Sequence, residues 1–323
     1  MKNTPIDAVI TWVDGDDINH KRKRQKYGNT AMFNAEDIAG ETRFSSLGEI
    51  FYCIASLNRF APWLNKIYIV TDEQDPKVDS FIKKHFPEKQ IPIEIVDHKT
   101  IFRGYEEYLP TFNSISIESM TWRIPGLSEH YIEFNDDLIL TAPVTPEDFF
   151  TPDGNVICYG SKKSYLLVKL TRLIKYRKDG SKKVTFKETM LNAASLLGER
   201  LFFIKIYHIP KALLKSVYEK YFMEHNEHLT RNIAHRFRDH RQYNPQEIQY
   251  LLLNKEGRCT MRSPYTNLLY LKPKKLGYIQ KKLERFSKAT ETKFACFNSI
   301  DQACEKGRKA IIEWIERRVG LND

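Results

Sequence analysis

The residues best suited to chemistry in this 323-residue chain are carboxylates and polar neighbours at the ends of short apolar runs. Asn135-Asp136-Asp137 follows the run HYIEF (130–134). Adjacent carboxylates at a strand end can hold a hard divalent cation, Mg²⁺ or Mn²⁺, against a diphosphate. Such a cation offsets phosphate charge and stabilises a leaving group. The same three residues suit a tight turn equally well. Asp14-Gly15-Asp16-Asp17 follows IDAVITWV (6–13) and offers nucleotide or metal contact, although Asp-Gly is foremost a turn signal. Asn113 and Ser114 open a predicted helix that carries Glu118. Backbone N–H groups at a helix start can receive an anion, and a Glu facing a pocket can act as a general base. Read alone, they also make an ordinary cap with a solvated Glu. Arg43, Arg236 and Arg238 are isolated guanidinium groups of the kind that clamp a diphosphate, though most arginines are only surface charge. His208 is isolated in the same way. His225 and His228 are three apart with no third His or Cys nearby, and zinc needs three or four ligands.

These groups need elements to position them. Strands are expected at 6–13, 66–71, 91–96 and 130–134, with 138–140 resuming the apolar run. Helical spacing covers 45–58, with Ser45 or Ser46 as N-cap, then 78–85 and 114–122. Strands alternating with helices imply a parallel sheet with right-handed crossovers. Ligands bind beyond the carboxyl ends of such strands, where Asp14, Asp72, Asp97 and Asn135-Asp136-Asp137 stand. The second half reads differently. An exposed lysine-rich hairpin or loop is expected at 160–190, and helices at 187–201, 211–221, 229–240, 245–254, 274–289 and 301–319. The chain thus divides into an α/β core with acidic strand ends, 1–154, and a basic, mainly helical part, 155–323.

Composition narrows the classes. The chain is 41% hydrophobic and 28% charged, with 14 Gly and 14 Pro, as a globular protein is. No run approaches the ~18 apolar residues of a membrane span, and the start does not read as a signal peptide. Five scattered cysteines without a C-x-x-C make a reducing cytoplasm the default. Residues 1–150 hold 16 Lys/Arg and 24 Asp/Glu, a net of −8, and residues 151–323 hold 35 and 17, a net of +18. An acidic half joined to a basic half fits metal chemistry in one and polyanion or membrane-surface contact in the other. A solvated basic surface fits equally. The dinucleotide, P-loop, zinc-protease and serine-hydrolase signatures are all missing.

The pieces together resemble the Stealth family, the sugar-phosphate transferases of bacterial capsule synthesis, to which the catalytic subunit of lysosomal-enzyme GlcNAc-1-phosphotransferase also belongs. The first family block resembles IDAVITWVDGDD (6–17). The second resembles RFSSLGEIFYCIASLNRFAPWLNKIYIVTDEQ (43–74) and runs on through LPTFNSISIESMTWRIPGLSEHYIEFNDDLIL to 154. The third is similar to HIPKALL (208–214) with HRFRDH (235–240), and the fourth to FACFNSID (294–301), which has Ser-Ile-Asp where the family commonly has an Asn-Asp pair.

The resemblance implies a Rossmann-like, glycosyltransferase-A-like α/β fold with a mostly parallel sheet flanked by helices. It implies transfer of a hexose 1-phosphate, often an N-acetylhexosamine 1-phosphate, from a UDP-sugar to a glycan hydroxyl, with release of UMP. In that reading Asn135 and Asp137 bind Mg²⁺ or Mn²⁺, Asp136 orients them, and Asp14 sits by the nucleotide or metal. Asn113, Ser114 and Glu118 line the sugar-phosphate site, Glu118 and His208 are the two candidate bases, and Arg238, Arg236 and Arg43 clamp phosphates. The acceptor is a glycan or a growing phosphodiester polymer. The location is the bacterial cytoplasm, with peripheral inner-membrane contact open and no nucleic-acid partner expected. Two alternatives stand beside it: an ordinary nucleotide-sugar glycosyltransferase, which releases UDP, and a non-enzymatic polyanion-binding protein.

Overall fold

A computed structural model describes residues 4–29, 32, 44, 47–171, 185–273 and 275–321. Arg43 and the cap candidates Ser45 and Ser46 lie outside the described residues. In chain order the strands are β1 (Ile6–Thr11), β2 (Lys66–Thr71), β3 (Ile93–Asp97), β4 (His130–Asn135), β5 (Leu138–Leu140), β6 (Val156–Ser164), β7 (Phe202–Ile206), β8 (Lys211–Leu214), β9 (Cys259–Arg262), β10 (Leu268–Leu271) and β11 (Phe294–Phe297).

The main sheet has the order β3-β2-β1-β4-β8. The first four strands are parallel, and β8 runs antiparallel along β4. β1 and β2 are near-continuous apolar runs, as strands covered on both faces must be. The helix Glu49–Phe60 covers the sheet through Ile50, Ile54 and Leu57. From β1 the chain moves outward to β2 and β3, then returns to the other side of β1 as β4. This reversal opens a crevice at the strand ends. There Asn135 pairs in register with Thr11, so the ends of β1 and β4 are neighbours.

Two small sheets complete the molecule, β10-β11-β5 and β7-β6-β9. Among the described residues, the second half is mainly helical but also supplies six strands. It is continuous with the first half. β8 completes the main sheet, β11 pairs with β5, and one buried cluster contains Ile10 and Ile69 together with Phe203, Leu213 and Tyr250. Among the described residues, no helix is long and apolar enough to cross a membrane.

Several elements differ from the sequence reading. Lys211–Leu214, expected as the start of a helix, is strand β8, and the helix runs Lys215–Glu224. Pro210 holds Ile209 away from helical backbone, and Ala212-Leu213-Leu214 finds an open edge on β4. The helix expected over 229–240 is Asn226–Ile233. Past it, Asn232 takes up the backbone of Tyr243 with both ends of its amide, which turns the chain back and frees 234–240 as a loop. Of the 160–190 stretch, expected as an exposed hairpin or loop, β6 runs to Ser164, 165–171 is helical, and 172–184 lie outside the described residues. The helix expected over 187–201 is Phe186–Leu196, closed at Gly198, whose φ of 71° a non-glycine residue rarely adopts.

Candidate active site

A pocket opens at the carboxyl end of β4, on the side of β8. Asn135 and Asp137 enter it from the β4–β5 turn, Ser114 and Glu118 from the helix Ser114–Glu118, His208 and Lys211 from the start of β8, and Arg238 from the loop after Ile233. Residues more than a hundred positions apart meet because β8 lies against β4 and the loop folds onto Ser114. Arg238 Nη2 donates to Ser114 Oγ at 2.7 Å.

Asp137 is held from the last sequence block. Phe297 N donates to its carbonyl at 3.1 Å, and Cys296 Sγ donates to its Oδ2 at 3.5 Å. Burial and the neighbouring Asp137 carboxylate push the Cys296 thiol well above its ordinary pKa, so it remains a donor. His208 lines the pocket and is exposed to solvent there. Its ring stacks between Phe186 at 5.5 Å and Tyr270 at 5.7 Å. Desolvation lowers its pKa below 6.5, against the opposing pull of Asp137 and Glu118, which leaves a neutral imidazole at pH 7.

Beneath the pocket lies a buried polar array. Gln246 Nε2 donates to Glu118 Oε2 at 2.9 Å and also contacts Glu133 Oε1. Lys211 Nζ donates to Glu133 Oε1 at 3.2 Å. Glu133 and Lys211 are 1% and 7% exposed, so neither charge is screened by water. Burial raises Glu133 to about 7 although Lys211 pulls it down. Glu133 and Glu118 outweigh burial at Lys211 and keep it a cation facing the pocket.

The strand end also fits a hard cation. Asn135 and Asp137 present only oxygen donors suited to Mg²⁺ or Mn²⁺, which bind through one or two carboxylates and substrate phosphates. The surroundings are acidic. Burial first, then Asp137 and Glu49, push the Asp136 carboxyl well above its ordinary range. A divalent ion would relieve that crowding.

The other sequence candidates sit elsewhere or lie outside the described residues. Asp14 closes the turn after β1: its Oδ1 accepts from Asp16 N at 2.9 Å and its own N–H donates to Gln74 at 2.9 Å. It does not line the pocket. Asp136 lies behind the pocket wall, toward Glu49 and Cys53. Asn113 is fully buried. It caps the helix through Ile115 N and donates to His235 O and Gln242 Oε1, so it places Ser114 rather than lining the pocket. Arg236 donates to Glu107 O and Leu109 O and covers the Tyr27 ring at 4.8 Å, tying two loops together. Arg43 lies outside the described residues.

Sequence reasoning missed Lys211, Glu133, Gln246 and the Phe186–Tyr270 pair around His208. One signal was available, the single Glu inside the apolar strand HYIEF. A charge there needs a buried partner. Nothing in the sequence named Lys211 as that partner.

The chain matches the family descriptions "Stealth protein CR1, conserved region 1" over residues 4–31 and "Stealth protein CR2, conserved region 2" over residues 43–157. The exopolysaccharide phosphotransferase cps2G of Lactiplantibacillus plantarum is 33% identical over 253 residues, 72% of this chain and 71% of that protein. The exopolysaccharide phosphotransferase SCO6021 of Streptomyces coelicolor is 39% identical over 240 residues, 72% of this chain and 40% of that protein. The chain spans about two fifths of SCO6021 and of the receptor polysaccharide phosphotransferase WefC of Streptococcus gordonii, at 40% and 42%. Among solved structures, galactosyltransferase LgtC with donor and acceptor sugar analogs is 10% identical, with a TM-score of 0.48, over 96% of this chain and 95% of that one.

Proposed function

We propose a reaction from one premise: the chain belongs to the Stealth family, whose conserved regions 1 and 2 it carries. It is a polysaccharide phosphotransferase that moves a sugar 1-phosphate, an N-acetylhexosamine 1-phosphate in the expected case, from a UDP-sugar to a glycan hydroxyl. A phosphodiester forms and UMP leaves. The observation that carries this reading is the convergence of Asp137, Asn135, His208, Lys211, Arg238 and Ser114 on one pocket at the sheet's crevice.

The acceptor oxygen attacks the β-phosphorus, and the bond from that phosphorus to the UMP oxygen breaks. His208 takes the hydroxyl proton. Its depressed pKa keeps it neutral at pH 7, and its two stacked rings hold its plane. Glu118, the other candidate, is hydrogen-bonded to Gln246 and lies near Arg238; its role is to hold that guanidinium in place. Negative charge gathers on the phosphoryl oxygens during transfer. Arg238, oriented by Ser114, and Lys211, fixed by Glu133, are the donors that meet it. Asn135 and Asp137 would hold Mg²⁺ or Mn²⁺, which supplies charge neutralisation of the diphosphate when bound. The basic half supports contact with an anionic acceptor polymer or membrane surface, and the cytoplasm is the expected location.

The test is nucleotide release. The purified chain is incubated with a panel of UDP-sugars, Mg²⁺ or Mn²⁺, and glycan acceptors, and UMP is resolved from UDP. UMP from one donor, abolished by EDTA, is the expected result. UDP would make the protein a glycosyltransferase and overturn the proposal.

A further inference from the structure

At the corner between the helices Lys215–Glu224 and Asn226–Ile233, three ligating side chains cluster outside the pocket. They are His225, Glu227 and His228, and their candidate ligand atoms all lie within 4.8 Å of one another. Glu227 Oε1 is 3.6 Å from His225 Nδ1 and 3.6 Å from His228 Nε2. A tetrahedral zinc with bonds of ~2.1 Å has ligand-to-ligand edges of about 3.4 Å, so the two Glu227 edges need to close by only a few tenths of an ångström. The two imidazoles stack at 5.1 Å with 18° between their planes, so the partly exposed His225 ring would turn out of that stack for both in-plane lone pairs to meet one ion. From these residues we infer a zinc site, formed by His225 Nδ1, Glu227 Oε1 and His228 Nε2, with the fourth position open to water.

A second observation supports it. Tyr221 Oη is 2.8 Å from His228 Nδ1, so a hydroxyl holds the ring nitrogen that does not face Glu227. Metal-binding histidines characteristically have that far nitrogen fixed in this way. The backbone is fixed as well, since Tyr243 Oη donates to His228 O at 2.9 Å. The site therefore has a ligand set, a held imidazole and a held backbone. Two imidazoles and one carboxylate favour zinc over the hard cations suited to Asn135 and Asp137. One residue, His225, joins the two helices, so a bound ion would lock the angle between them. The second helix passes beside Ser119 through Asn232 Nδ2, 2.8 Å from Ser119 Oγ, next to the helix that carries Glu118. The site's role is to stiffen the support of the pocket; it makes no contact with substrate.

The experiment uses tag-free full chain, stripped with EDTA, then dialysed against Zn²⁺ with Mg²⁺ in large excess to occupy the acidic strand end. Metal content is read by mass spectrometry and affinity by titration calorimetry. About one zinc per chain is expected, lost in His225→Ala/His228→Ala and retained in Asp137→Asn. Tyr221→Phe should weaken zinc binding about 10-fold or more. Zinc should raise the Tm of the parent and leave that of the double variant unchanged. No zinc retained by the parent would overturn the site, leaving a simple His–Glu contact. Zinc retained by the double variant but lost in Asp137→Asn would also overturn it, by moving the metal to the strand end. Neither readout depends on the transfer reaction, so the site stands or falls separately from the proposed activity.

Discussion

His208 is held between two aromatic rings and titrates below 6.5, which defines how activity should depend on pH. In the proposed reaction the neutral ring is the base. Transfer should therefore rise with pH on the acid side, through a midpoint below 6.5, and level off above it. His208→Ala should lower kcat by about 100- to 10,000-fold, the usual contribution of a positioned base, and remove that acid limb. A variant that retains most of its turnover would exclude the role. Asp137 is secured by Phe297 N and Cys296 Sγ, so its backbone position does not depend on its carboxylate alone. Asp137→Ala should abolish transfer while the far-ultraviolet circular dichroism stays that of the parent. Near-parental activity would remove Asp137 from the metal site.

At the scale of elements, β8 brings a buried cation, Lys211. Lys211→Met leaves Glu133 1% exposed without its cation. Breaking a buried pair from one side costs about 3–5 kcal/mol. The sign with pH follows from Glu133, whose folded pKa is already raised to about 7 and would rise further without Lys211. A raised acid favours folding when protonated, so the variant's deficit should widen as pH rises from 5 to 8. Denaturant titrations of Lys211→Met at both pH values check this, and adding Glu133→Gln should recover part of the loss. A deficit that ignores pH would show that packing is at stake rather than charge. The same strand marks the limit of what sequence shows. β1, β2 and β4 were legible because apolar runs ending in Asp or Asn leave few options. Leu213 and Leu214 lie next to a helix of compatible composition, and only the open edge of β4 makes their stretch a strand. Asp137 and His208 stand out in the sequence, and both line the pocket. Asn113 and Arg236 read there as a sugar-phosphate contact and a phosphate clamp, but their hydrogen bonds go to backbone and amide partners that tie loops.

Over the whole molecule, the charge division in the sequence converges in space. Glu118 and Asp137 come from the acidic half, while His208, Lys211 and Arg238 come from the basic half. Apolar contacts around His20 add to the joining of the halves: it lies 3% exposed against Phe44 at 5.8 Å and Phe112 at 5.4 Å, with Phe112 in turn stacked on Phe237. This junction ties the turn after β1 to the segment before Ser114 and to the loop that bears Arg238. Gly15 admits Phe44 here, since a Cβ on Gly15 would stand 2.1 Å from Phe44 O. Burial, then Arg24, depresses His20 from 6.5 to about 4. The unfolded chain therefore binds the extra proton between those values. Stability from this group is present above pH 6.5 and falls as pH drops toward 4, by up to about 3 kcal/mol. His98, also buried and depressed, adds to the loss in the same direction. Urea unfolding at pH 7.5, 5.5 and 4.5 should show the decline. His20→Leu removes the proton site while keeping an apolar side chain, so its stability should fall less steeply over that range. An equal slope in the variant would mean that the junction is held by its phenyl rings alone and that His20 carries none of the acid sensitivity.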